Sequence, residues 1–230
     1  MEKPQIKSRK RVEDHGEVFT NEREVNAMLD LVKDESFNIE STFLEPACGD
    51  GNFLEVILRR KLDTVKSKYS KCLPDYEKYA IVAISSLYGV DILEDNVAAC
   101  IERLHSVFCK EYKSVCKKNA QERIQVVAHY ILTKNILCGD ALTLLKTDKT
   151  PIVFAEWKMV TNSKIKRRDF TMSKILEAES YNSELADMGG DQLSLFGTLD
   201  DDVMKEIYDS VNKPIKEYPL MNYWELDKYE

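Results

Sequence analysis

Glycine and proline are scarce in this chain. Eight glycines among 230 residues are about half the usual ~7%, and the chain has only six prolines. Hydrophobic residues make up 43%, which supplies enough apolar material for a core and argues against global disorder. Each glycine is therefore expected to lie where the backbone requires one.

Long apolar runs and paired cysteine motifs are also missing. No stretch approaches the ~18 to 20 apolar residues of a membrane span, and acids rather than a signal-peptide core follow the basic N-terminus. The six cysteines form no Cys-x-x-Cys pair and lie mostly within apolar patterns, which favours buried thiols over a zinc site or disulfides. We therefore expect a cytoplasmic protein with no membrane contact and no metal site.

Charge divides the chain into two parts. Residues 177–230 hold 14 acids and 4 bases, whereas residues 1–176 hold 26 acids and 29 bases. This division predicts a folded domain over residues 1–176, followed by an acidic flexible loop and C-terminal tail over residues 177–230. Two basic clusters, Lys7–Arg11 and Lys164–Arg168, are either solvated faces or contacts to nucleic-acid phosphates.

Hydrophobic periodicity predicts strands that alternate with helices. Strands are expected at residues 42–44, 86–91, 135–138 and 152–160. Helices are expected at about residues 20–32, 54–65, 73–86, 95–112, 120–132 and 203–211. The β-α-β-α-β order of the first half is typical of a Rossmann-like, doubly wound α/β domain with a mostly parallel sheet.

Two of these helices carry specific expectations. Thr20 or Asn21 is expected to cap the first of them. Its expected buried face consists of Val25, Met28, Leu29 and Val32. The helix over 54–65 is expected to place Arg59, Arg60 and Lys61 partly on its outer face.

The residues after the first three strands form the candidate site, because ligands of doubly wound sheets bind at the carboxyl ends of the strands. A turn of small and polar residues follows the first strand: Glu45, Pro46, Ala47, Cys48, Gly49, Asp50, Gly51, Asn52 and Phe53. After the second strand, the Asp91 carboxylate can accept both hydrogen bonds of a ribose diol. After the third, Asp140 can accept from an exocyclic amine such as the adenine N6. Together these residues predict a nucleoside site.

A dinucleotide is the alternative ligand for such a turn. The dinucleotide motif G-x-G-x-x-G needs a third glycine, but Asn52-Phe53-Leu54 follows Gly51 here. Asp50 would also repel a pyrophosphate, whereas it suits the positively charged amino and sulfonium groups of S-adenosylmethionine. These residues therefore favour S-adenosylmethionine over NAD.

Residues 16–142 resemble the cofactor half of class I S-adenosylmethionine-dependent methyltransferases, and specifically the N6-adenine DNA methyltransferases of restriction-modification systems. Leu44–Leu54, with its Glu-Pro-Ala-Cys-Gly, resembles the family's cofactor loop, and Gly16–Thr20 resembles its G-x-x-[FY]-T-P segment with Asn21 in place of proline. The resemblance implies the class I methyltransferase fold. The implied cofactor-binding residues are Phe19, Thr20, Glu45, Pro46, Ala47, Gly49, Asp50, Gly51, Asn52, Phe53, Asp91, Ile92, Asp140 and Ala141.

The catalytic motif of that family is missing. In the family, an Asn/Asp-Pro-Pro-Tyr/Phe sequence ends a fourth strand, accepts from the target amine and stacks on the flipped base. This chain contains no Pro-Pro pair, so we identify no catalytic residue. Glu156 and Trp157, where the fourth strand is expected, either substitute for the motif or belong to an ordinary packed strand.

The resemblance therefore implies an incomplete enzyme. This chain would be the S-adenosylmethionine-binding subunit of an adenine-specific DNA methyltransferase, inactive alone, whose catalytic strand and DNA-recognition domain lie on a partner chain. The alternatives are a non-catalytic methyltransferase-like scaffolding subunit and an RNA or protein methyltransferase of the same fold. The aromatic tail residues Tyr218, Tyr223 and Trp224 would suit docking to the partner, or they pack on the chain's own sheet.

One short segment points to a second partner. Gln192-Leu193-Ser194-Leu195-Phe196 resembles the pentapeptide by which bacterial replication and repair proteins bind the sliding clamp. Apolar side chains in a polar loop need some apolar surface to cover them, which is either the clamp or the chain itself.

Overall fold

A computed structural model of the chain describes residues 8–15, 20–161, 163–177 and 213–229. The helices are α1 Arg9–His15, α2 Glu22–Asp30, α3 Lys33–Phe37, α4 Asn52–Tyr69, α5 Leu73–Ser85, α6 Glu94–Cys116 and α7 Glu122–Asn135. The strands are β1 Phe43–Glu45, β2 Leu87–Asp91, β3 Ile136–Cys138, β4 Val153–Met159, β5 Lys164–Thr171, β6 Lys216–Glu217 and β7 Met221–Asn222. Phe19, the clamp-like pentapeptide at 192–196, most of the predicted acidic loop and the predicted helix at 203–211 lie outside the described residues.

The first three strands form a parallel sheet in the order β1-β2-β3. Phe43 lies opposite Leu87, and Gly89 lies opposite Ile136, so β2 is the central strand. Its residues Leu87 to Val90 are buried, as expected for a strand with neighbours on both sides. The mixed α/β class and the parallel pairing of these strands are confirmed.

Helices α4, α5, α6 and α7 pack against one another and against the sheet. Their apolar faces form the main core, which includes Leu58, Ile81, Leu104 and Val127. The other face of the sheet, with Tyr88 and Val90, belongs to a second cluster with Ile152, Phe154 and Met172. Within the described residues, no helix is both long and apolar enough to cross a membrane.

The predicted strand at 152–160 forms, but it does not extend the parallel sheet. β4 pairs antiparallel with β5, so that Glu156 lies opposite Arg168. Trp157 is buried, and its indole N–H donates to Asn135 Oδ1 at 3.0 Å. Because Asn135 directly precedes β3, Trp157 lies at the amino end of that strand and not at the carboxyl end where the candidate site lies.

The aromatic tail packs on its own chain. β6 and β7 pair with β5, and Tyr223 and Tyr229 are buried. The Tyr223 hydroxyl donates to Pro74 O, and the Tyr229 hydroxyl donates to Ile165 O, each at 3.2 Å. Tyr218 and Trp224 are partly buried and pack against the main core. These contacts favour the alternative that the tail residues pack on their own chain.

Two basic residues of α4 are buried, contrary to the prediction that they lie partly on its outer face. Arg60 donates to Asp30 Oδ1 at 2.8 Å and to Ser36 Oγ at 3.0 Å. Lys61 is fully buried, and its ammonium donates to Ser41 O and, at 2.6 Å, to Ser86 Oγ. Burial lowers the pKa of Lys61 to about 7. Their partners lie 24 to 30 residues away for Arg60 and 20 to 25 for Lys61, which periodicity does not reveal.

Candidate nucleoside-binding site

The three segments that follow the strands lie side by side at the carboxyl ends of the parallel strands. The Cys48 N–H donates to Val90 O at 2.9 Å, which joins the turn after β1 to β2. The Gly139 N–H donates to Asp91 O at 3.0 Å, which joins the end of β3 to β2. The structure therefore brings together residues that are about 45 positions apart in the chain.

The turn after β1 depends on two glycines with left-handed backbone. Gly49 has φ 53° and Gly51 has φ 89°, a region that other residues rarely adopt. A Cβ at Gly51 would also lie 2.7 Å from Cys100 Sγ on α6. Gly51 therefore allows the chain both to turn into α4 and to approach α6 closely, while Pro46 and Ala47 stay exposed.

Arg103, on α6, holds the polar residues of this turn. Its guanidinium donates to Asp50 Oδ2 and to Asn52 Oδ1. Asp50 Oδ1 is buried and has no hydrogen-bond partner among the described residues. The arrangement neutralises the charge of Asp50 and leaves one of its oxygens able to accept from a bound donor. Sequence reasoning missed Arg103, because a single arginine on a long helix carries no motif.

Glu45 and Cys48 have raised pKa values at the start of the turn. Burial raises the pKa of the Glu45 carboxyl, partly offset by the N–H of Ala47. The hydrogen bond with Cys100, followed by burial, raises the pKa of the Cys48 thiol. A protonated, buried thiol is a weak nucleophile, so Cys48 is a packing residue of this turn.

The Asp91 carboxylate is largely occupied by its own chain. Oδ2 accepts from the Gly49 N–H at 3.0 Å, and Oδ1 accepts from the Leu93 N–H at 2.9 Å and from Asn96 Nδ2 at 3.2 Å. Since a carboxylate offers about four acceptor positions, about one is left. In this conformation Asp91 can accept one ribose hydroxyl, rather than the two that its position predicted.

Ile92 and Asp140 offer complementary surfaces beside Asp91. The Ile92 side chain is 57% exposed, which is unusual for a large apolar residue that follows a buried strand. Asp140 Oδ1 accepts from the Leu142 N–H at 2.9 Å, and this bond lowers the pKa of Asp140. An exposed aliphatic side chain next to a carboxylate suits the flat apolar face and polar edge of a nucleoside. Ala141 is half-buried next to Asp140.

Thr20 and Phe53 are less informative. Asn21 is the N-cap residue of α2, as predicted, and its carbonyl accepts from the Val25 N–H at 2.9 Å, but its side chain makes no hydrogen bond to the helix. Thr20 lies two residues before α2. Phe53 lies in the first turn of α4 and packs partly against the main core.

The predicted basic clusters are engaged in ion pairs. Arg167 donates to both oxygens of Asp169 at 2.7 and 2.9 Å, and Arg168 donates to Glu156 at 2.6 Å. In the N-terminal cluster, Arg11 donates to Asp95 at 2.6 Å and to Asn96, which itself contacts Asp91. Both arginines of the β5 cluster are therefore paired within the chain, and α1 lies beside the candidate site.

Glu156 and Trp157 do not replace the missing catalytic motif. Glu156 accepts from Arg168, and Trp157 lies at the opposite end of the sheet from Asp91. Among the described residues, no three His, Cys, Asp or Glu side chains are arranged to hold a metal ion. Comparisons with protein-family models, curated proteins and solved structures found no match to this chain.

Proposed function

We propose that the chain is the S-adenosylmethionine-binding subunit of an adenine-N6 DNA methyltransferase, and that a partner chain supplies the catalytic strand. The observation that carries the proposal is the juxtaposition of the 45–53 turn, Asp91, Ile92 and Asp140 at one sheet edge. In this assignment Asp91 accepts from the ribose, Ile92 packs on the adenine and Asp140 accepts from its amine. Asp50 Oδ1 is buried without a partner among the described residues, and in this assignment the Asp50 carboxylate accepts from the cofactor's amino group.

The strand order supports an incomplete enzyme. Doubly wound sheets place their first strand centrally, in the order 3-2-1-4, and bind ligands where the order reverses beside strand 1. Here the order is β3-β2-β1, and in the part of the chain that the structure describes no strand pairs with the outer edge of β1. Among the described residues, no strand takes the expected place of the fourth strand, which fits the absence of an Asn-Pro-Pro-Tyr sequence.

The chemistry divides between the two chains. When bound, S-adenosylmethionine supplies an electrophilic methyl group on a sulfonium centre. This chain's residues bind and orient that donor, and the partner's residues hold the adenine that is flipped out of the duplex. Each chain alone therefore lacks one of the two substrates.

Co-expression with the product of the neighbouring reading frame tests the proposal. We expect N6-methyladenine in DNA, measured by mass spectrometry, from the two chains together and from neither alone. Methylation by this chain alone would contradict the split between two chains. Transfer of labelled methyl groups to RNA or protein instead would favour the RNA or protein alternative.

A non-catalytic scaffolding subunit is the second candidate. The specific observation in its favour is that Gly49, Leu93 and Asn96 occupy most of the acceptor positions of the Asp91 carboxylate without a ligand. A scaffold would keep the turn for stability and would not bind S-adenosylmethionine.

A further inference from the structure

Helix α2 and the turn that follows it carry more apolar surface than the described residues cover. Val25 and Leu29 are buried, but Met28, Leu31 and Val32 are 55%, 86% and 46% exposed. Met28 and Val32 belong to the stripe predicted to be buried, so the structure covers only part of that stripe. Three large apolar side chains exposed within five positions are typical of an interaction surface. We call Met28, Leu31 and Val32 the α2 patch.

The α2 patch lies on the β1 side of the molecule. Helices α2 and α3 pack on α4, where Arg60 bonds to Asp30 and Ser36. Helix α4 contacts β1 and β2, while α6 packs on another side of α4 and contacts β2 and β3. The chain also enters β1 directly from α3, and Lys61 of α4 binds that connection at Ser41 O.

The backbone of β1 offers hydrogen-bonding groups on the same side. The Phe43 N–H donates to Ser86 O, so Phe43 and Glu45 direct their backbone groups toward β2. Leu44, between them, directs its N–H and C=O toward the outer edge. No described strand pairs with this edge. A strand is the structure that satisfies such groups best.

Charge indicates the character of the occupant. Residues 20–42, which include α2 and α3, hold six acids and two bases. An acidic rim around an apolar patch suits a basic partner. A chain that binds DNA needs basic residues to contact the phosphates, so the proposed partner is expected to be basic.

We propose that the α2 patch and the outer edge of β1 together form the docking surface for the partner polypeptide, which adds a parallel strand beside β1. This inference rests on the proposed function, because the carboxyl end of the added strand would then lie next to Glu45 and the donor site. The apolar side chains of the partner cover Met28, Leu31 and Val32, and its basic residues face the acids of α2 and α3.

Substitutions on exposed positions test the docking surface without disturbing the core. Leu31→Glu places a charge in the α2 patch, and Val126→Glu, at a 48% exposed position on α7, is the matched control. We expect Leu31→Glu to reduce co-purification with the tagged product of the neighbouring reading frame at least tenfold, and Val126→Glu to leave it unchanged. Circular dichroism and melting temperature should match for all three proteins.

Three outcomes would overturn the inference. The first is a wild-type chain that forms no complex, and the second is a Leu31→Glu variant that retains its partner as well as Val126→Glu does. A wild-type homodimer that Leu31→Glu converts to a monomer would instead identify a second copy of this chain as the occupant.

The same variants separate this inference from the proposed function. A complex that depends on Leu31 but methylates no adenine would contradict the function and keep the docking surface. Adenine methylation that Leu31→Glu leaves intact would keep the function and contradict the docking surface.

Discussion

Gly51 combines two constraints in one residue of the candidate site. Its φ of 89° favours glycine, and its α-carbon faces Cys100 on α6 so closely that a Cβ would lie 2.7 Å from the Cys100 Sγ. The scarcity of glycine in the sequence suggested a reason for each one, and at Gly51 that reason is conformation together with close packing. Neither requires a ligand, so the role of Gly51 in stability can be tested separately from function.

Gly51→Ala is expected to lower the free energy of unfolding by about 1–3 kcal/mol, because alanine is strained in left-handed backbone. The contact with Cys100 adds to this cost. Urea denaturation measures the difference. The double variant Gly51→Ala, Cys100→Ala should recover the loss of unfolding free energy that comes from the contact with Cys100. It should keep the loss that comes from the strained backbone. Wild-type stability in the single variant would contradict the packing at this turn.

Lys61 is expected to make stability depend on pH. Its pKa is about 7 in the folded chain and 10.5 in its ordinary state, so the unfolded chain binds more protons between these values. Stability from this group therefore rises with pH, by up to about 1.4 kcal/mol per unit between about pH 7 and 10. Below pH 7 Lys61 is charged in both the folded and the unfolded chain, so the burial of its charge lowers the free energy of unfolding by its full amount.

The variant Lys61→Met isolates that dependence from all other titrating groups. Denaturation of both proteins at several pH values should show the stability of the wild type gaining on that of Lys61→Met as pH rises from 7 to 10. A difference that stays constant with pH would show that Lys61 is not buried as a lysine of lowered pKa.

At the scale of elements, local patterns predicted α2, α4 to α7 and the parallel strands, but they did not predict α1, α3, β5 or the pairing of β4 with β5. The apolar spacing that defines α4 to α7 lies within each segment, as do the β-branched residues of β4. The choice of β5 as the partner of β4 depends on residues such as Arg168, opposite Glu156, and on the tail residues that pair with β5. The burial of Lys61 was likewise unpredictable, since its acceptors come from other elements.

Asn135 connects three elements and is expected to be critical for stability. Its amide donates to Ser85 O at 3.0 Å and to Leu87 O at 3.1 Å, and its oxygen accepts from Trp157. Asn135→Leu leaves these three buried groups without partners, which should cost about 3 kcal/mol or more. Urea denaturation against the exposed Asn119→Leu tests this. Equal stabilities would show that Asn135 does not join the antiparallel β4–β5 pair to the parallel sheet.

At the scale of the whole molecule, the described residues form a three-stranded parallel sheet with the candidate site at the carboxyl ends of its strands. The sequence predicted which segments meet there, because strand ends converge in any parallel sheet. It did not predict that Arg103 would hold Asp50 or that Asp91 would be mostly occupied, since both depend on contacts between separate elements. A ligand at the donor site would have to add to these two contacts or displace them, whereas a scaffold would keep them unchanged. Ligand binding therefore distinguishes the two candidate functions.

Calorimetric titration of the purified chain with S-adenosylmethionine tests the central claim most directly. Ile92→Asp changes an exposed side chain at the proposed adenine surface, and Val126→Asp is the control at an exposed position elsewhere. We predict saturable binding of one molecule to the wild type and to Val126→Asp, and affinity at least tenfold weaker for Ile92→Asp. Absence of binding to the wild type, or equal binding to all three proteins, would contradict a donor site at the strand ends.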